Sequence, residues 1–183
     1  MAQTQQPPYP RGLIRDEGDW ICYQMANDPH KKEEGTAMLW TNILIRQFPI
    51  TSGYRFCPEK NPTTTSNLRA DGSIYRVGLG SLKAVAFAEW KRASRDTPTG
   101  RKEAEEQVRL YCVEYLRANP NQTHVYGITC ASTRARVFRV DRGAVELQRL
   151  NQAWDGDYFY VDAIHDGLNL LPQAFDELRS FHP

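Results

Sequence analysis

Residues 84–91 read AVAFAEWK, a glutamate and a lysine two positions apart at the end of a strongly apolar run. In an extended strand successive side chains leave opposite faces, so Glu89 and Lys91 share one face while Ala88 and Trp90 occupy the other. A strand this apolar is covered on both sides, and charges on a covered face must be compensated. Two compensations are open. One is a structural ion pair; the other is a divalent cation on the carboxylate, with the ammonium turned to a phosphate or a water.

Working outward, Leu82 to Ala93 reads as the strand that carries the tripeptide, and Leu68 to Val77 as the strand before it, with Gly78, Gly80 and Ser81 supplying the turn. Tyr54 to Cys57 is a shorter strand, separated by the polar loop Asn61 to Asn67, so a three-stranded hairpin or meander is expected. Upstream, Lys32 to Gln47 places Leu39, Trp40, Ile43 and Leu44 on one helical stripe that Pro49 stops. A shorter helix is expected from Asp16 to Ala26, with Asp16 or Asp19 as its cap. Downstream, Thr99 in the turn DTPTG can cap a helix from Arg101 to Ala118, where Val108, Cys112, Tyr115 and Leu116 recur at helical spacing. His124 to Cys130 and Arg134 to Asp141 read as strands joined by the turn STRAR. A short strand from Tyr158 to Ala163 and a helix from Leu170 to Phe181 complete the order. This succession predicts an α/β domain with a mixed central sheet flanked by helices.

The chain has 183 residues with 23 basic and 22 acidic side chains, so a polyanion would have to meet a local basic patch. Residues 1–12, rich in Gln and Pro, are expected to form a flexible arm before a single domain over 13–183. Cys22, Cys57, Cys112 and Cys130 are widely spaced and have no zinc-ligand pattern. No run approaches the roughly 20 apolar residues of a membrane span, and no secretory core is present, which predicts an intracellular protein with no membrane partner. His124, His165 and His182 lack ligand spacing. The loose acidic group Asp155, Asp157, Asp162 and Asp166 does not match a calcium loop and reads as solvated turn chemistry.

Asp71 lies on the strand preceding the one that carries Glu89, so adjacent strands can bring the two carboxylates together. Such a pair of hard oxygen ligands suits Mg²⁺ or Mn²⁺, with the Trp90 backbone carbonyl as a further ligand. Lys91 would stabilise charge developing on a phosphate. On the following helix Gln107 and Tyr111 are four apart and share a face; a plainer reading makes Tyr111 core and Gln107 a solvated helix former. Arg92, Arg134 and Arg136, with Arg139 and Arg142 nearby, could track a phosphate backbone, although charges on an alternating strand also suit a solvated face.

The elements Asp71, Glu89-Trp90-Lys91 and Gln107-Val108-Arg109-Leu110-Tyr111 resemble the PD-(D/E)xK nuclease superfamily, whose fold is restriction-endonuclease-like, and the Q-x-x-x-Y part is similar to its RecB and lambda-exonuclease branch. Ala70 stands where that pattern usually has Pro, and Gly72-Ser73 follow where apolar residues are common. The resemblance implies a three-layer core and Mg²⁺-dependent cleavage of DNA, with RNA also open as substrate. It implies as well that a glutamate at the start of the first core helix, Glu33 or Glu34, joins the metal, Glu34 being the one assigned. The segments HVYGITCASTRARVFRVDRG (124–143), DYFYVDA (157–163) and AFDELRSF (174–181) resemble the nuclease-like region that precedes the kinase domain of fungal-type protein kinases, and spore-killer nuclease regions. That likeness implies a fungal conflict or effector setting. No H-R-D or D-F-G kinase signature is present. The alternative is an inactive nuclease-like module that binds nucleic acid or a protein partner.

Overall fold

The computed structural model describes residues 10–78, 80–144, 146–150 and 159–183. Helix α1, Glu17–Asn27, starts where the Asp16 carboxylate accepts the Asp19 amide at 2.9 Å. Helix α2, Glu34–Gln47, buries the anticipated stripe of Leu39, Trp40, Ile43 and Leu44. The two helices touch closely at Gly35, where a Cβ would lie 2.7 Å from the Met25 carbonyl group.

The meander follows as Tyr54–Lys60 (β1), Ala70–Gly78 (β2) and Ser81–Lys91 (β3), paired antiparallel in succession. Helix α3, Pro98–Ala118, then crosses over to His124–Ala131 (β4), which runs parallel to β3. Arg134–Asp141 (β5) returns antiparallel to β4. Two short strands, Gln148–Arg149 (β6) and Val161–Asp162 (β7), both pair with β5, and helix α4, Leu170–Ser180, ends the fold. The sheet order is therefore β1-β2-β3-β4-β5-β6, with one parallel neighbour pair where the helical crossover demands it.

Helices cover both faces, which makes a three-layer α/β fold. On one face α1, α2 and α4 pack Leu39, Ile43, Leu171 and Phe175 against Ile74, Ala86, Ala88, Trp90 and Ile128. On the other, α3 packs Val108, Cys112 and Tyr115 against Phe87, Val125 and Val140. Helix α3 lies so close to β4 that a Cβ on Gly127 would sit 2.2 Å from Val108 Cγ1. Among the described residues no helix is long and apolar enough to cross a membrane.

Several local expectations are corrected. Thr97, not Thr99, caps α3: its Oγ1 accepts the Gly100 amide at 3.1 Å, and Pro98 takes the first helical position, where a missing N–H costs nothing. The turn between β4 and β5 is Ser132-Thr133 alone, shorter than STRAR, while the strand after it begins at Arg134 as expected. Arg11 pairs with Ile14 and the Leu13 amide donates to Ala163 at 2.8 Å, so the fold begins inside the expected arm. Residues 1–9, the acidic pair Asp155 and Asp157, and the start of the strand expected at Tyr158 lie outside the described residues.

Candidate functional site

Strand β3 outruns its neighbour. Its ladder with β2 ends at Gly72 opposite Ala88, which leaves Asp71 beside Glu89 at the frayed end. There the Asp71 side chain replaces the ladder: its Oδ2 accepts the Trp90 amide at 2.8 Å. An extended residue's N–H and C=O leave the same strand edge, so the Trp90 carbonyl faces toward Asp71 as well. Close packing is built in here, since a Cβ on Gly72 would lie 2.8 Å from the Trp90 ring.

Glu89 is buried at 4 % exposure and both of its oxygens are engaged. Lys91 Nζ donates to Oε1 at 2.6 Å, and Tyr111 Oη donates to Oε2 at 2.9 Å. The Asp71 and Glu89 carboxyls face one another, each in the field of the other. Burial, and after it the charge of Asp71, push the Glu89 carboxyl up to about 7, against the pull of Lys91 and Tyr111. Burial also raises Asp71, opposed by the Trp90 amide and the Lys91 ammonium. Burial and the neighbouring Glu89 raise the Tyr111 hydroxyl, which therefore stays a donor.

A third carboxylate approaches from the other layer. Glu33, at the N-cap of α2, is raised by burial and by the charge of Asp71, while the Arg92 amide and the Lys91 charge hold it down. Thr36 ties this helix start to the end of β3 by donating to the Lys91 carbonyl at 3.2 Å. Glu34 is corrected: it is exposed, and Glu33 is the residue of the pair that feels Asp71. Adjacent helical residues point about 100° apart, so only one of the two can face the sheet.

Gln107, Lys91 and Glu33 line one cleft of about 770 Å³ with Arg92 and Lys102. Tyr111 sits deeper on the same helix, at 4 % exposure, and serves both as core and as Glu89's partner. The basic residues of β5 separate. Arg136 is buried at 3 %, its Nη1 3.7 Å from Glu105 Oε1 and its guanidinium over the Phe138 ring, so it is no surface contact for a nucleic acid. Arg134 is exposed and lies 3.8 Å from Asp96. Arg139 pairs with Asp141 at 2.7 Å, and Arg142 donates to the carbonyls of Asn119 and Gln122. Arg92 is exposed at the cleft.

Two features went unread in the sequence. Thr129, fully buried on β4, stands beside Glu89, which only the parallel register reveals. Lys102 shares the cleft with Gln107, and that placement was legible, since Thr99, Lys102, Glu106 and Gln107 fall on one helical face.

Among the described residues no group of three or more His, Cys, Asp and Glu side chains closes on one point. Two convergent carboxylates are nevertheless the donor set Mg²⁺ prefers, because the ion keeps several waters and takes the rest of its shell from one or two carboxylates and substrate phosphates. The half-buried Asp71 and the buried Glu89, each in the field of the other, fit a hard dication on this ground. No protein-family model, curated protein or solved structure matches this chain.

Proposed function

We propose that this protein is a metal-dependent nuclease that hydrolyses DNA phosphodiester bonds. The observation that carries the reading is the convergence of Asp71 and Glu89 at the end of β3, with the Lys91 ammonium 2.6 Å from Glu89 and a cleft alongside to which Arg92 and Lys102 contribute. The resemblance of Asp71, Glu89-x-Lys91 and Gln107-x-x-x-Tyr111 to PD-(D/E)xK nucleases supports the same chemistry. Asp71, Glu89 and the Trp90 carbonyl would hold Mg²⁺ or Mn²⁺, with Glu33 adding negative charge from α2. When bound, such an ion lowers the pKa of a water and neutralises charge on a phosphoryl oxygen.

The chain's own groups have separate tasks. Tyr111 fixes the Glu89 carboxylate through a buried hydrogen bond, and Asp71 is fixed by the Trp90 amide. Lys91 supplies a fixed positive charge where the pentacoordinate phosphate gains negative charge, a contribution worth about 10²–10³ in rate when one such donor is removed. Gln107 offers an amide to a phosphate oxygen at the cleft wall.

Cleavage of plasmid and linear DNA in Mg²⁺ or Mn²⁺ tests the reading. Wild-type protein should cut, and folded Glu89→Gln and Lys91→Ala proteins should lose at least about 10² of that rate. Equal rates in all three, or no cutting by the wild type, would reject it. One observation favours a second reading: Lys91 and Tyr111 already satisfy both Glu89 oxygens, as a purely structural ion pair would require. An inactive binding module of that kind predicts no change of melting temperature with Mg²⁺.

A further inference from the structure

The cleft beside Lys91 has a composition that selects how a substrate is held. Its walls come from the β3–α3 connection and the first turns of α3, with Glu33 from the N-cap of α2 against the Arg92 amide. Most of its charges are already spent inside the protein. Arg95 pairs with Glu103, Glu106 with Arg109, and Lys91 with Glu89. Arg92 and Lys102 are different. Both are exposed, and neither forms a side-chain hydrogen bond or ion pair with another described residue, although Arg92 lies in the field of Glu33.

These two cations line the cleft together with Lys91, and Thr99 in the first turn of α3 adds the positive end of that helix. Equally informative is what the lining lacks. Among the described residues no aromatic side chain lines the cleft, since the Trp90 ring is buried on the opposite face of the sheet and Tyr111 is buried beneath Gln107's helix. Base stacking and apolar base contacts therefore have no platform there. Hydrogen-bond donors on flexible cationic stems suit phosphate oxygens, which carry no sequence information.

We infer that this cleft is a backbone-reading track in which Arg92 and Lys102 grip phosphates neighbouring the one presented to Lys91, so that DNA is bound without regard to base sequence. The inference rests on the nuclease reading for its choice of substrate, but its residues lie outside the carboxylate pair and can be tested separately.

The test is binding of two fluorescent oligonucleotides of unrelated sequence to the full chain in a chelator, where no cutting occurs, as a function of salt. Each of Arg92→Ala and Lys102→Ala should weaken binding several-fold for both oligonucleotides and reduce the slope of log K against log salt by about 0.7–0.9. Lys102→Arg should restore most of the loss, and melting temperatures should not move. Wild-type binding by both alanine variants, or a loss confined to one of the two sequences, would overturn the track. If the salt slopes change as expected while the wild type never cuts DNA with Mg²⁺, the track stands and the hydrolytic reading falls. If cutting occurs and its KM is indifferent to both substitutions, the hydrolytic reading stands and the track falls.

Discussion

Glu89 sets the energetics of the site. Its carboxyl titrates near 7 in the folded protein and near 4.5 when free, chiefly because it is buried and then because Asp71 faces it. A carboxyl raised in this way binds its proton more tightly in the native state. Its stabilising contribution is therefore complete below about 4.5 and is lost as pH rises through about 7. Metal-free protein should melt at a lower temperature at about pH 8 than at about pH 5, with roughly 3 kcal/mol at most traceable to this one group. Glu89→Gln should flatten that dependence. Mg²⁺ should act with the opposite sign, stabilising the protein more at the higher pH, because it competes with the proton for the same oxygens. A melting temperature that rises between the two pH values without metal would contradict the assignment. The tripeptide itself was legible, since a Glu and a Lys on one face of an apolar strand demand compensation. Which helix-start glutamate joins them was not, because Glu33 and Glu34 differ only in rotation about a helix whose docking the sequence does not state.

At the scale of elements, α3 is the part whose position matters most to the site, since it carries Gln107, Lys102 and Tyr111. It is held close to β4 by the absence of a side chain at Gly127. Gly127→Ala should therefore push Val108 away, destabilise by about 1–3 kcal/mol, and lower the proposed nuclease activity beyond what partial unfolding explains. Denaturant melts and cutting rates measured together check this, and an unchanged stability would show that α3 is not packed as described. Most elements could be read from periodicity and punctuation: the α2 stripe, the meander, and β5 at its observed ends. Three departures have physical causes. Val85 has no partner between the pairs Tyr75–Ala84 and Ile74–Ala86, so a bulge shifts the alternation upstream and puts both Val85 and Ala86 on the α2 side. Downstream of it the two-residue period is intact, which is why Glu89 and Lys91 still share a face. Thr97 displaced Thr99 as cap because Pro98 favours the first helical position. Arg136 is internal because β5 is covered on both faces, and an arginine facing α3 beside Glu105 needs no solvent.

At the scale of the whole molecule, the site stands where the three layers meet. Glu33 comes from the α2 layer, Asp71, Glu89 and Lys91 from the sheet, and Gln107 and Tyr111 from α3. Layering was legible from the order of elements, whereas the row that runs from Glu89 to Thr129 and on to Arg136 depends on a parallel register that no local pattern encodes. Three carboxylates gathered from two layers outnumber the Lys91 ammonium that faces them, and this excess is the physical reason to expect a further cation at the junction. Mn²⁺ binding at about pH 8, followed by calorimetry or electron paramagnetic resonance on the full chain, bears on this most directly. One ion should bind per chain, and Asp71→Asn or Glu89→Gln should abolish or greatly weaken its binding in proteins that remain folded. Absence of Mn²⁺ binding, or equal binding by wild type and both variants, would contradict a shared carboxylate site.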